Sequence, residues 1–195
     1  MFIRDLKYKT DTTHEIILAE VHLPVKMGHR DAEKVFGAPL KAQLAATSLG
    51  TVLSCDTRTR PSGAAIGVDI GLGLRDARES ALKTVAGMLE ALSAPCGSSI
   101  RLADAITDPI LFGQTEGLEV AVDTPLTPDA ETRRDLALTC HKALDKAGVS
   151  RGWDHRQNKT VFYFYGESYS DMRSRLARVL KNMPRYQDID IRRMA

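Results

Sequence analysis

The stretch KTVFYFYGES, residues 159–168, holds four aromatics in a row, Phe162, Tyr163, Phe164 and Tyr165, out of five Phe and five Tyr in the chain. Its β-branched and aromatic content predicts a strand, bounded by Gly166. Side chains alternate along a strand, so Phe162 and Phe164 lie on one face and Val161, Tyr163 and Tyr165 on the other. The phenylalanines belong under covering helices. The tyrosines, whose polar tips tolerate water, belong on the open face.

The flanking sequence supplies those helices. Thr127 and Pro128 suit an N-cap and a first helical position, with acids at 129 and 131. The helix is expected to reach Ala147 with Leu136, Cys140, Ala143 and Leu144 inward, and Gly148 to close it. Met172, Leu176, Val179, Leu180 and Met183 make an apolar stripe on a second helix. LEVAVDT (118–124), RGWDH (151–155) and DIDIRRM (188–194) complete a βαββαβ order.

Residues 16–102 have the same order. IILAEVHL (16–23) is a strand. APLKAQLAATSLG (38–50) is a helix with Pro39 in its first turn and Gly50 as its stop, and residues 27–38 hold a loop with a short helical turn. TVLSCDT is the second strand, and TRPSG a turn. AIGVDIGLGL (65–74) alternates strictly, with Ile66, Val68, Ile70, Leu72 and Leu74 on one side. A helix follows, opening near Asp76 and running through Ala94, with Ala81, Leu82, Val85, Leu89 and Leu92 on one face. SSIRLA is the fourth strand.

The two orders line up at a shift of about 100 residues, as a repeat of pattern rather than of letters. The expected fold is α+β, two tandem ferredoxin-like (βαββαβ) halves forming a pseudodimer. Half one spans 1–102, a linker 103–117 and half two 118–195. Edge-to-edge joining of the sheets would protect their exposed edges.

Totals exclude several classes. The chain has 195 residues, 43% hydrophobic and 27% charged, an ordinary balance for a globular protein. The polar N-terminus lacks the apolar core of a signal peptide, and no apolar run approaches a membrane span, so the expected location is cytoplasmic. A net charge of +2 is too balanced for a dedicated duplex-DNA binder. Cys55, Cys96 and Cys140 are widely spaced and odd in number, which argues against a disulfide framework or zinc ribbon. No pair among His14, His22, His29, His141 and His155 has the spacing of a helical metal site. Phosphate-loop, dinucleotide and nucleophile-elbow motifs are absent. Neither catalysis, metal nor cofactor is expected.

Three surfaces remain as candidates. Tyr163 and Tyr165 could stack RNA bases, but the strand lacks the glycine and basic pattern of that motif, and Glu119 and Asp123 beside it would repel phosphate. Nucleic acid is therefore an unfavoured partner. SRGWDHRQNK (150–159) carries the sole tryptophan, and Trp153 with Arg151, Asp154, His155 and Arg156 has the composition of a protein hot spot. Opposite its apolar side, the strand 65–74 presents Gly67, Asp69, Gly71 and Gly73. That bare face fits a partner protein, a small ligand, or the chain's own residues 1–13 or linker packed across it.

The segments LGTVLSC and IGVDIGLGLRDARESALKTVAGMLEALSAPCGSSI resemble small bacterial proteins that act as immunity or accessory partners of secreted toxins. VFYFYGES with LARVLKNMP is similar in outline to the ferredoxin-like inhibitors of the RNase E regulator class. The resemblance implies a stoichiometric, non-catalytic inhibitor of a cognate toxin or enzyme. Its expected contact residues are Trp153, Tyr163, Tyr165, Arg151, Arg156 and Asp69.

Overall fold

The computed structural model describes residues 16–106, 108–186 and 189–194. Period-two alternation makes the first sheet. In β1 (Ile17–Leu23), Ala19, Val21 and Leu23 are buried, whereas Glu20 is exposed and His22 half-buried. Val21 pairs with Ile70 of β3 (Ala65–Leu74) on one side and with Ile100 of β4 (Ser98–Leu102) on the other. β2 (Gly50–Thr59) pairs with β3, and the antiparallel strand order is β2-β3-β1-β4-β5.

β5 (Ile110–Phe112) lies inside the expected linker. It pairs with β4, and a Pro95–Thr115 bridge ties the following residues to the same half. Gly113 closes this turn at φ 106, where an added Cβ would run into the Pro95 carbonyl.

Helices cover one face of this sheet. The chain from His29 to Ala46 is continuously helical: α1 (His29–Ala32), a π-helical turn (Glu33–Gly37) and α2 (Ala38–Ala46). It extends further back than the helix predicted from 38, and it buries Ala32, Phe36, Leu40 and Leu44. α3 (Glu79–Ala91) buries Ala81, Leu82, Val85, Ala86 and Leu89 at helical spacing.

The second sheet is antiparallel in the order β7-β8-β6-β9, from β6 (Glu116–Asp123), β7 (Val149–Arg156), β8 (Lys159–Gly166) and β9 (Asp190–Arg193). α4 (Ala130–Leu144) and α5 (Tyr169–Lys181) cover one face. Leu136, Cys140, Leu144, Met172, Leu176 and Leu180 form a core with Phe162, Phe164, Leu118 and Val120. The chain is α+β, and among the described residues its two antiparallel sheets do not join edge to edge. No helix among the described residues is long and apolar enough to cross a membrane.

Both ends of α4 differ from expectation. Asp129, not Thr127, is the N-cap, accepting the Thr132 N–H at 2.7 Å. Thr127 is buried instead and donates to Thr160 Oγ1 at 2.9 Å. At the other end the left-handed residue is Asp145, at φ 51 and ψ −120, while Gly148 is extended. Holding an exposed aspartate there costs what glycine would not. Asp145→Gly is expected to raise stability by about 1 kcal/mol in denaturant unfolding. A loss of stability would show that the aspartate is not strained.

Candidate functional site

Among the described residues β7 is an edge strand, with one side of its backbone unpaired by the sheet. Trp153 sits on it opposite Phe162, on the face that α4 covers. At the sheet margin that cover is incomplete, and Trp153 is 42% exposed. Its ring is nevertheless held. The Arg133 guanidinium of α4 stands 4.7 Å from the ring centroid, and His155 packs edge-on at 5.1 Å. Arg133 also donates to the Thr127 carbonyl at 3.0 Å, which fixes the cation from behind. A half-exposed, pre-ordered Trp–Arg pair loses little conformational entropy when it docks. Arg133 was missed in the sequence, because its proximity to Trp153 exists only once α4 packs beside β7.

The other face of the same hairpin overturns an expectation. Tyr163 and Tyr165 are not exposed contact residues: they are 2% and 3% exposed and, with Val161, belong to the first core. The cause is the segment after β1. Val25, Met27, Ala32 and Phe36 belong to that same buried cluster, and Tyr165 Oη accepts the Lys26 backbone N–H at 2.8 Å. Burial pushes the Tyr165 phenol up to about 12. No partner or nucleic-acid base reaches these rings while the halves stay packed.

Arg151 and Arg156 also turn toward this seam. Arg151 occupies a β-bulge and lies 5.9 Å from the Phe36 ring centroid, and desolvation lowers its pKa. Arg156 donates to Tyr163 Oη at 2.9 Å and to Glu119 at 3.2 Å, with Asp154 3.6 Å from its Nε. Lys26 Nζ stands 3.7 Å from Glu119. Burial, then the Asp154 carboxylate, raises the Tyr163 pKa. Both Asp154 oxygens are enclosed without a hydrogen-bond partner in the described structure. Of the expected contact residues, Arg151, Arg156, Tyr163 and Tyr165 thus meet at the seam between the halves, and Trp153 alone on this hairpin faces out.

Asp69 lies elsewhere, on the helix-free face of the first sheet. It accepts from or pairs with His22 Nδ1 at 2.7 Å and Arg58 at 3.5 Å, while Arg101 meets Glu20 at 2.7 Å. The glycines beside it are not an empty trough. Gly67 makes room for the His22 ring, Gly71 for Ser54, and Gly73 for Leu53 and Ile16. Neighbouring strands therefore fill the space that a ligand would need. Packing by residues 1–13 lies outside the described residues. Leu53 is exposed, and the charges of Asp69 and Glu20 on this face are paired.

Among the described residues no group of three or more His, Cys, Asp and Glu side chains is placed to hold a metal. A cleft of about 360 Å³ between the halves is lined by Cys96, Glu116, Tyr165 and Arg193. Cys96 is exposed, whereas burial holds Cys55 and Cys140 at about 12. An aromatic disulfide reagent is therefore expected to titrate Cys96 alone in the native protein and all three thiols after unfolding. Fast native reaction of two or more would contradict the burial of Cys55 and Cys140.

No family model matches the chain, and no curated protein does. A solved structure of a mutant chlorite dismutase from Candidatus Nitrospira defluvii is similar at 14% identity, covering 91% of each chain with a TM-score of 0.28. At that TM-score the likeness carries no argument about fold or activity.

Proposed function

We propose that this is a non-catalytic protein-binding protein of the inhibitor type, docking on its partner through the Trp153 edge of the second sheet. The observation that carries the reading is the half-exposed indole of Trp153, clamped by Arg133 on an unpaired strand edge. Trp and Arg are the residues that concentrate binding energy at protein interfaces. The open edge also offers main-chain groups to an added strand.

Burial of Tyr163 and Tyr165 removes the stacking platform that an RNA-binding reading requires. The filled glycine face weakens the small-molecule reading in the same way. The inhibitor form, with a bacterial toxin or enzyme as the cognate partner and a steric block of its active site, rests on the sequence resemblance. The matching βαββαβ order of the two sheets supports tandem ferredoxin-like halves as its scaffold.

The test is affinity capture from native host lysate, with and without RNase, read by mass spectrometry. One protein retained in stoichiometric amount after RNase, and lost with Trp153→Ala, is the expected result. Retention of RNA, with loss of protein partners after RNase, would overturn it.

A further inference from the structure

The Trp153 edge carries a cation that its own chain leaves without an anion. Arg133 makes one hydrogen bond among the described residues, from Nη1 to the Thr127 carbonyl, and its Nε is enclosed without a partner. It takes part in no salt bridge among those residues. Geometry explains why. Glu131 and Asp135 stand two positions away along α4, a spacing that turns their side chains to other faces of the helix. Asp129 is engaged by the Thr132 N–H at 2.7 Å. Asp154, the carboxylate of β7, alternates with Trp153 and points to the opposite face of the sheet, 3.6 Å from Arg156.

A second donor stands beside the indole. Thr127 donates to Thr160 Oγ1 at 2.9 Å, which leaves the Thr160 hydroxyl to donate to His155 Nδ1 at 3.3 Å. Neutral His155 therefore carries its proton on Nε2, on an exposed ring.

We infer that the partner meets this edge with an extended acidic segment, one of whose carboxylates seats on Arg133 beside Trp153. The inference rests on the docking reading above and names the chemistry of what docks. Residues 153–156 pair one for one with 159–162, so their outer side is a regular template. A strand added along it would bring a side chain to about 5 Å from that of Trp153, on the face that holds Arg133. Covering the indole takes water from the guanidinium held over it, and a charge removed from water without a counter-ion is costly. The chain supplies none, so the partner does. His155 Nε2–H gives the segment a further donor to meet. A polypeptide fits better than a nucleic acid, because main-chain amides can continue the ladder at an open strand edge.

The test pans a phage-displayed random peptide library on the immobilised full chain and repeats the binding with variants. Selected peptides are expected to carry Asp or Glu next to an apolar residue, and to lose binding with Trp153→Ala. Arg133→Ala should weaken them about fivefold. Arg133→Glu should weaken them further, with affinity restored when the peptide's acid is replaced by Lys, a rescue that a packing role alone does not give. Peptides that need Trp153 but carry no acid, or that ignore Arg133→Glu, would overturn this inference and leave the docking reading in place. Peptides indifferent to Trp153→Ala, or no selected peptide at all, would overturn both, as would single-stranded oligo(U) bound through Trp153 in their place.

Discussion

Tyr165→Ala is expected to cost about 3–5 kcal/mol of unfolding free energy, the usual range for deleting a buried aromatic. For a chain of this size that corresponds to roughly 10 °C in Tm. The ring is 3% exposed and belongs to the first core although it comes from the second sheet. Its loss would open a cavity where the two halves meet and leave the Lys26 N–H without its acceptor. Tyr165→Phe isolates that second effect and should cost about 1–3 kcal/mol, the penalty of an orphaned buried donor. Equilibrium denaturation of the three proteins measures both. A change within about 0.5 kcal/mol for Tyr165→Ala is what an exposed position gives, and would mean that the helix-free face of the second sheet is open.

Trp153→Ala is expected to behave in the opposite way. Its ring lies at the sheet margin, so folding stability should fall by less than in Tyr165→Ala. Partner affinity should fall by about 2–4 kcal/mol, roughly 30- to 1000-fold, as for a central hot-spot residue. Arg133→Ala leaves the indole in place but unclamped, and a smaller loss of affinity is expected, about 1 kcal/mol. Titration of the captured partner by calorimetry gives both values. Unchanged affinity in Trp153→Ala would remove β7 as the docking edge. The two variants together separate a residue that holds the halves from one that presents a surface.

The order of elements was legible in the sequence because burial on a sheet repeats every two residues and on a helix every 3.6. Val68, Ile70, Leu72 and Leu74, and Leu82, Val85 and Leu89, could be placed on their inner faces from spacing alone. Cap positions were harder. Thr127 and Asp129 are both good N-caps by type, and the choice fell to Asp129 because Thr127 is buried against Thr160, a partner 33 positions away.

The surface was least legible. Alternation along 161–165 puts the tyrosines opposite the phenylalanines, and the structure agrees. What lies over the tyrosine face depends on Val25, Met27 and Phe36, which share a core with Tyr165, and on the Lys26–Tyr165 bond, which spans 139 positions. Nothing in the local pattern of either segment encodes that meeting. The same holds for Arg133 over Trp153, and for Lys26 beside Glu119. The two βαββαβ orders and the inward faces of their strands and helices can be read from the residues alone, because they follow from local periodicity. Which outward face stays outward depends instead on how the segment after β1 packs against a strand far along the chain.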